Sequence, residues 1–410
     1  MKSNQTVRSF IQNTNPRAET RQGYLSRRVA TLKPSGIRKF FDIAATMKDV
    51  ISLGIGEPDF DTPPPIIEAG INSLRRGETH YTSNAGILEL RQEISSYLNR
   101  LYGVEYNPET EILVTVGASE GLYLAATSIL DPGDEVIIPT PCYVAYQAEV
   151  ELAGGVPVEV PGTIENNFDL EIDAIARAIT PKTKAILIGY PNNPTGAVAS
   201  REKLVALARL AEENDLVVIS DEIYDRLVYG VEHICFPGLE GMKKRSILTG
   251  GFSKSYAMTG WRIGYVTGPA ELMEGLTRVH QYTIMCASTT AQVAAMEGLR
   301  SAESFVMEMH TEFDRRRRLV YQGLSSIGFP IFEPKGAFYA FPKVSVTGLD
   351  DTAFAEQLLA EEKVAVVPGS AFGKGGEGFV RCSYATSYEK LEQAIERIAR
   401  FSRRIDGSRS

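Results

Sequence analysis

Short apolar runs alternate with longer amphipathic patterns in the middle of the chain, from residue 111 to residue 268. The runs are rich in β-branched residues, as buried strands are, and the longer stretches show the apolar spacing of helices. This alternation predicts an α/β fold with a mostly parallel sheet that is covered by helices. The predicted strands are residues 111–116, 135–138, 156–160, 184–189, 216–220, 246–249 and 263–267, and the predicted helices are residues 119–130, 171–179 and 201–213.

The pattern changes after residue 300. A long helical pattern at residues 301–324 is followed by short strand candidates and by a final helix at residues 387–403. This mixture is typical of a smaller α+β domain, with which a strand at residues 50–53 is expected to pack. The predicted regions are an N-terminal arm, expected to be disordered, at residues 1–26, a small α+β domain at residues 27–65 and 300–410, and a large domain at residues 66–299.

Composition narrows the class of protein. The 410 residues are 43% hydrophobic and 23% charged, which is typical of a globular protein with a large core. A net charge of −8 argues against a nucleic-acid partner, and no apolar stretch approaches the roughly 20 residues that span a bilayer. The four cysteines are far apart and form no Cys-x-x-Cys pair, so neither a metal site nor a disulfide framework is predicted. We expect a cytoplasmic location with reduced thiols.

Two basic segments have alternative interpretations. Residues 1–28 carry six basic residues against one acid, Glu19, which suits either an organelle transit peptide or an arm that is disordered or faces a partner; we favour the arm. The run from Arg315 to Arg318 follows acidic residues in a helical pattern. A salt-bridged, solvated helix face explains that run better than a phosphate-binding patch does.

Polar residues follow four of the predicted strands at the point where each strand ends. Because ligands bind beyond the carboxyl ends of parallel strands, four such ends on one edge of a sheet predict a ligand site there. The four segments are Gly117-Ala118-Ser119 after the strand 111–116, residues 190–196 with Asn193 after the strand 184–189, Asp221 to Tyr224 after the strand 216–220, and Ser253-Lys254 after the strand 246–249.

Lys254 is the most informative of these residues. It lies in an apolar, glycine-flanked segment with Phe252, Tyr256 and Trp261 nearby in sequence. Desolvation disfavours an ammonium group, so such a lysine has a lowered pKa and a nucleophilic amine. Amines of this kind form Schiff bases with carbonyl compounds, including pyridoxal phosphate. A solvated loop lysine is the ordinary alternative, and the polar groups at the other strand ends argue against it.

The other strand ends provide the groups that pyridoxal phosphate requires. Its ring nitrogen needs a carboxylate to stay protonated, its ring oxygen needs hydrogen-bond donors, and its phosphate suits a helix N-terminus together with a cation. An aromatic side chain can stack on the ring. The candidates are Asp221 for the nitrogen, Asn193 and Tyr224 for the ring oxygen, Ala118, Ser119, Ser253 and Arg262 for the phosphate, and Tyr143 for stacking.

A rival motif occupies the same segment. Gly117, Ser119 and Gly121 fit the Gly-x-Ser-x-Gly nucleophile elbow of hydrolases, with a strand before it and a helix after it. A hydrolase would also need a histidine later in the chain, and neither His280 nor His310 lies in a pattern typical of a late catalytic loop. We therefore disfavour a hydrolase. The glycine-rich motifs of dinucleotide-binding proteins and of phosphate-binding loops do not occur.

Taken together, these segments resemble class I/II aminotransferases, which are fold type I pyridoxal-phosphate enzymes. The resemblance extends from about residue 27 to residue 403. It is most specific at Ser253-Lys254 followed by Gly260-Trp261-Arg262-Ile263-Gly264, at residues 191–196, at residues 221–224 and at residues 378–386. The large domain would then be the one that binds the cofactor.

The resemblance implies a ping-pong transamination. Lys254 would hold the cofactor as a Schiff base and move a proton between the substrate Cα and the cofactor, and Asp221 and Tyr224 would assist. Arg381 would grip the substrate α-carboxylate, a task that suits a planar guanidinium. Tyr81 would reach the phosphate in the neighbouring subunit, which implies a homodimer with shared sites. The implied substrate-binding residues are Gly56, Tyr143, Asn193, Arg381 and Ile37.

Substrate choice is less well determined. Some relatives that accept dicarboxylic substrates carry a lysine at the position of Ser119. Because this chain has serine there, a preference for dicarboxylic substrates is less expected. We predict an aromatic or broad-range L-amino acid as donor and a 2-oxo acid such as 2-oxoglutarate as acceptor. Aspartate/alanine aminotransferases, acetyl-diaminopimelate aminotransferases and pyridoxal-phosphate-dependent C–S β-lyases share much of the pattern and stay open as alternatives.

Overall fold

The computed structural model describes residues 24–32, 47 and 49–407. Most of the predicted N-terminal arm and the candidate substrate residue Ile37 therefore lie outside the described residues. The chain divides into two units, Met1–Lys33 and Pro34–Ser410. In the first unit the structure describes one short helix, α1 (Arg27–Thr31), whose N-terminus is capped by the Ser26 side chain.

The second unit contains the strands of two small sheets and of one large sheet. In chain order they are β1 (Ile51–Ser52), β2 (Ile112–Thr115), β3 (Glu135–Thr140), β4 (Val156–Pro161), β5 (Thr183–Gly189), β6 (Val217–Asp221), β7 (Ser246–Gly251), β8 (Gly264–Thr267), β9 (Tyr339–Ala340), β10 (Val364–Ala365), β11 (Val367–Pro368) and β12 (Val380–Ser383). The large sheet has seven strands in the order β2-β8-β7-β6-β5-β3-β4. The predicted mostly parallel α/β sheet is confirmed.

Strand β8 is the exception to the parallel arrangement. It runs antiparallel to both of its neighbours, β2 and β7. The connection from β7 to β8 contains only the short 3₁₀ helix Thr259–Trp261, whereas parallel neighbours usually need a crossover α-helix. The apolar pattern of β8 gives no sign of its direction, because strands of either direction can be equally buried.

Helices surround the large sheet and carry the C-terminal part of the chain. After α1 they are α2 (Pro64–Arg75), α3 (Leu88–Tyr102), α4 (Gly117–Ile129), α5 (Ala145–Ala153), α6 (Ile172–Ala178), α7 (Arg201–Glu213), α8 (Ala270–Thr283), α9 (Thr289–Ser301), α10 (Glu303–Ile327), α11 (Asp351–Glu362) and α12 (Tyr388–Gly407). The sequence pattern leaves several of them unpredicted. None of the helices within the described residues is long and apolar enough to cross a membrane.

Both faces of the large sheet are covered. In β5, Ile186 and Ile188 belong to one apolar cluster, whereas Ala185 and Leu187 belong to another. Successive side chains of a strand point to opposite faces, so these two clusters are the two sides of the sheet. This explains why the central strands read as continuous apolar runs.

The C-terminal part of the chain forms its own small sheets. Strands β11, β12 and β9 form a three-stranded antiparallel sheet, and β1 pairs in parallel with β10. Strands β1, β9, β10 and β12 and the apolar faces of α10, α11 and α12 contribute to one apolar cluster. Gly54 to Glu57, which follow β1, are thereby brought close to β12.

The basic run on α10 is ion-paired, but it is not fully solvated as the sequence suggested. Arg316 and Arg317 are only 6% and 5% exposed. Arg316 pairs with Asp59 at 2.7 Å, and Arg317 pairs with Glu333 at 2.7 Å. The helical pattern showed the neighbouring acids on α10, whereas these partners come from distant segments.

Candidate active site

One cavity of about 680 Å³ lies at the carboxyl edge of the large sheet. It is lined by polar residues at the carboxyl ends of β5, β6 and β7 and at the N-terminus of α4. This is where ligands bind in a mostly parallel α/β sheet. Its lining includes these sequence-predicted residues: Gly56, Ala118, Ser119, Tyr143, Asn193, Asp221, Tyr224, Ser253, Lys254, Arg262 and Arg381.

Lys254 lies in this cavity on the loop that follows β7. Its Nζ donates a hydrogen bond to the carbonyl oxygen of Gly56 at 2.6 Å. The pKa of Lys254 is lowered to about 8, mainly by burial and also by the nearby cations Arg381 and Arg262, against an opposing effect of Glu57. Roughly a tenth of the side chain is therefore a neutral, nucleophilic amine at pH 7, far more than for an ordinary lysine.

Asp221 ends β6 and is 6% exposed. Its Oδ2 accepts a hydrogen bond from the Tyr146 hydroxyl at 2.8 Å, and its Oδ1 accepts one from the Ile223 backbone at 3.2 Å. Burial raises the pKa of Asp221 to about 6, although the Tyr146 hydrogen bond opposes that shift. A buried carboxylate of this kind gains stability when a cationic group lies beside it, which fits the protonated ring nitrogen of pyridoxal phosphate.

Arg381 presents its guanidinium from β12. Its Nη1 donates to Asn193 Oδ1 at 2.8 Å and its Nη2 donates to the Gly54 carbonyl oxygen at 2.6 Å. The residue is 2% exposed, and its guanidinium carbon lies 4.5 Å from the centre of the Tyr339 ring. Nε is buried and has no hydrogen-bond partner among the described residues. This is not a surface ion pair, and a planar fork held in this way suits a carboxylate.

Two tyrosines form a pair beside this fork. The hydroxyl groups of Tyr224 and Tyr339 lie 2.8 Å apart. A Cβ atom added at Gly56 would lie 2.9 Å from the Tyr339 hydroxyl and 3.9 Å from the two terminal nitrogens of Arg381. Only glycine therefore leaves space for a ligand between the Gly56 backbone and the guanidinium.

The N-terminus of α4 and Arg262 form the opposite end of the cavity. Gly117 has φ of +75°, and a Cβ atom on it would lie 2.7 Å from Arg262 Nη2. The guanidinium is thus held against the first turn of α4, where backbone N–H groups lack helical partners. Ala118, Ser119 and Ser253 line the same cavity. Free amides, hydroxyl groups and a cation are the donors that a phosphate requires, so the residues present fit pyridoxal phosphate.

Two sequence-predicted site residues are not part of this cavity. Tyr81 is 82% exposed and lines a separate cleft of about 610 Å³ with residues 286–290. Ile37 lies outside the described residues.

The histidines do not support a hydrolase. His233 bonds to Glu222, His280 bonds to Glu120, and His310 bonds to the Val228 carbonyl oxygen. None of the residues that line the cavity with Ser119 is a histidine. Among the described lining residues, Ser119 accordingly has no histidine to act as the general base of a hydrolase triad.

Some residues of the cavity were missed by sequence reasoning. Tyr146 holds Asp221, and Tyr339 holds Tyr224 and lies over Arg381. Glu57 accepts a hydrogen bond from the Thr259 hydroxyl at 2.9 Å. Tyr146 is one helical turn after Tyr143, and that spacing could have identified it. Nothing in the local sequence around Tyr339 distinguishes it from a core aromatic residue.

Comparison with known proteins agrees with this geometry. The family profile of aminotransferase class I and II matches residues 48–398. An aspartate aminotransferase of Pyrococcus abyssi is 49% identical over 92% of this chain and 98% of its own. Aromatic-amino-acid aminotransferase 2 of Thermococcus litoralis is 47% identical over 91% of this chain and 97% of its own. The crystal structure of an aromatic aminotransferase from Pyrococcus horikoshii superposes with a TM-score of 0.85 at 46% identity, covering 90% of this chain and 100% of that one. The chain therefore belongs to the class I and II aminotransferases and is a pyridoxal-phosphate-dependent enzyme that catalyses transamination.

Proposed function

We propose that the enzyme transfers the amino group of an aromatic or broad range of L-amino acids to a 2-oxo acid such as 2-oxoglutarate, by a ping-pong mechanism. The observation that carries this proposal is the set of cations in the cavity: Lys254, Arg262 and Arg381 are the only lysines and arginines among its described lining residues. The first is the Schiff-base amine, the second faces the phosphate end and the third suits the α-carboxylate. No described lining cation remains for a second carboxylate on the substrate side chain.

The relatives support a broad range rather than a narrow one. Proteins named for aspartate and for aromatic amino acids are almost equally similar to this chain, at 49% and 47% identity. Ser119 supplies a small hydroxyl in place of a lysine at the phosphate turn, which favours uncharged side chains. Acidic substrates would then be bound less tightly than aromatic ones.

Each residue of the cavity has a task in this proposal. Pyridoxal phosphate, when bound, supplies an electron sink that allows the substrate Cα proton to leave. Lys254 Nζ would accept the proton of the substrate Cα and donate it again, for which its lowered pKa is suited. Asp221 keeps a proton on the ring nitrogen, and Tyr146 keeps Asp221 ionised and oriented.

Substrate orientation is assigned to Arg381. Its two terminal nitrogens are already directed by Asn193 and by the Gly54 carbonyl oxygen, so the guanidinium plane is fixed before the substrate arrives. A fixed bidentate contact with the α-carboxylate holds Cα in a constant position for proton transfer. Asn193 and Tyr224 are assigned to the ring oxygen, Tyr143 to the ring face, and Ala118, Ser119, Ser253 and Arg262 to the phosphate.

The proposed assembly is a homodimer with shared sites. Tyr81 is exposed in the single chain and lies in a different cleft from Lys254, which is compatible with a role at the phosphate of a neighbouring subunit. We also propose the division into a small domain, residues 27–65 and 300–410, and a large cofactor-binding domain, residues 66–299. The four cysteines carry free thiols, as is usual for the proposed cytoplasmic location.

A half-reaction screen tests the substrate proposal. The cofactor-loaded enzyme is mixed with single amino acids, and conversion of the cofactor to its amine form is followed by absorbance. We expect phenylalanine and tyrosine to react, and a reaction with aspartate alone would contradict the aromatic preference.

Release of pyruvate and ammonia from cystathionine without an oxo acid would instead identify a C–S lyase. An active monomer in gel filtration would contradict the shared-site dimer.

A further inference from the structure

Glu120 and His280 form a buried pair behind the phosphate end of the cavity. His280 Nδ1 lies 2.6 Å from Glu120 Oε1, and the two side chains are 0% and 7% exposed. The other carboxylate oxygen of Glu120 accepts a hydrogen bond from the Val116 N–H at 2.5 Å. Neither residue lines the cavity itself. One carboxylate therefore ties α8 to the backbone just before α4.

The backbone that Glu120 holds is the one that carries the proposed phosphate amides. Val116 immediately precedes α4, and the Thr115 hydroxyl donates to the Gly117 carbonyl oxygen at 2.9 Å. A Cβ atom added at Gly264 would lie 2.8 Å from the Ala118 nitrogen, so the loop is also packed closely onto β8. The Glu120 bond to Val116 adds a restraint that orients the following amides.

His280 contributes to this arrangement through one hydrogen bond. Its Nε2 is buried and has no partner among the described residues. The bond between Nδ1 and Glu120 is therefore the hydrogen bond that compensates for burial of the ring. Burying a polar group is unfavourable unless it is hydrogen-bonded. Without His280, the Glu120 Oε1 atom would be buried without its hydrogen-bond partner in the first turn of α4, close to the amides expected to bind phosphate.

We propose that Glu120 and His280 are positioning residues for the phosphate group of the cofactor. They act through the Val116 to Ser119 backbone and do not touch the phosphate themselves. This inference rests on the proposed role of Ala118, Ser119 and Arg262 as phosphate ligands. The pair holds the amides of α4 in the phosphate-binding arrangement, with the His280 hydrogen bond fixing the orientation of the Glu120 carboxylate.

The test compares two aldehydes that differ only in the phosphate. Full-length protein freed of cofactor is titrated with pyridoxal phosphate and with pyridoxal, and binding is followed by visible absorbance. We expect E120A and H280A to raise the dissociation constant for pyridoxal phosphate about tenfold or more, since each removes a charged hydrogen bond. The dissociation constant for pyridoxal stays unchanged. The matched control is S128A. Ser128 also lies on α4 and faces α8, since a Cβ atom added at Gly275 would lie 3.7 Å from Ser128 Cβ. We expect S128A to bind both aldehydes like wild type.

Two further variants separate the possible failures. Because E120Q keeps an acceptor for the Val116 N–H, it retains most of the affinity for pyridoxal phosphate, and it serves as the readout if E120A does not fold. A loss in E120Q as large as in E120A, or an equal loss of affinity for both aldehydes, would overturn the positioning role. R262A tests the underlying site: if R262A binds pyridoxal phosphate normally, the proposed phosphate ligands themselves are wrong. If R262A weakens binding while E120A and H280A do not, only the positioning role is wrong.

Discussion

The Tyr146 hydroxyl on α5 donates a 2.8 Å hydrogen bond to Asp221 Oδ2 at the end of β6, and both residues are buried. Burial raises the pKa of Asp221, and the Tyr146 bond is the largest of the hydrogen bonds that oppose this rise and hold the pKa to about 6. It therefore favours the ionised form of Asp221 at neutral pH, together with the hydrogen bond from the Ile223 backbone.

Removal of this hydroxyl is expected to impair catalysis more than stability. In Y146F the pKa of Asp221 rises, and we expect kcat to fall about tenfold, equivalent to the loss of one net hydrogen bond to a charged group. The acid side of the pH profile of kcat should move to higher pH. Y190F is the control, because the Tyr190 hydroxyl is also buried but bonds to the Phe168 carbonyl oxygen. An unchanged acid limb in Y146F would contradict the role.

The reactivity of Lys254 is expected to follow a pKa near 8. In cofactor-free protein, its labelling by an amine-reactive reagent should rise through about pH 8 rather than through the ordinary value of 10.5. Because Glu57 raises the pKa of Lys254, E57Q should lower this midpoint further. Labelling at each pH is quantified by mass spectrometry. A midpoint near 10.5 would show that the lysine is solvated.

The same pKa has a consequence for stability, with a defined sign. Between pH 8 and 10.5 the unfolded lysine binds more proton than the folded one, so its contribution to the free energy of unfolding increases as the pH rises through that window. Denaturant unfolding of cofactor-free protein checks this, with K254M as the control that should lack the increase.

Arg381 is expected to be irreplaceable by lysine. R381K keeps the charge but cannot donate to Asn193, to Gly54 and to a substrate carboxylate in one plane. We expect KM for the amino acid to rise about tenfold to a hundredfold, measured in the half-reaction. R209K, on the exposed face of α7, should behave like wild type. Equal KM values for R381K and wild type would place the carboxylate elsewhere.

Glycine at position 264 is expected to be required by packing. A Cβ atom there would lie 2.7 Å from the Gly117 carbonyl carbon and 2.8 Å from the Ala118 nitrogen, and backbone atoms cannot move aside easily. G264A should lower the free energy of unfolding by about 1–3 kcal/mol and weaken cofactor binding. G260A is a matched control, because nothing lies within 4 Å of the added Cβ atom. Urea unfolding of both variants measures the difference, and similar stability losses would contradict the packing argument.

Ser119 is expected to limit the use of acidic substrates. S119K adds a cation to the cavity that can pair with the side-chain carboxylate of aspartate. We expect kcat/KM for aspartate relative to phenylalanine to rise about tenfold, because this ion pair would be partly screened by solvent. S119Q adds length without charge and should leave the ratio unchanged. A similar change in both variants would attribute the effect to size.

Local patterns were sufficient to predict most of the strands of the large sheet and most of the cavity residues. Lys254, Asp221 and Asn193 each follow a buried strand, and residues that follow parallel strands must meet at one edge of the sheet. Arg381 was found through its motif rather than through periodicity, since the four residues of β12 are too few to show a pattern. The direction of β8 and several helices could not be predicted in the same way.

The sequence by itself determined the fold class and the family and identified the lysine proposed to form the Schiff base, because apolar periodicity and short motifs are properties of neighbouring residues. The tertiary structure decided which polar groups hold those residues in place. Tyr224 meets Tyr339 across 115 positions, and Glu120 meets His280 across 160. Such pairs leave no periodic trace along the chain, since only the packing of distant helices and strands brings them within hydrogen-bond distance.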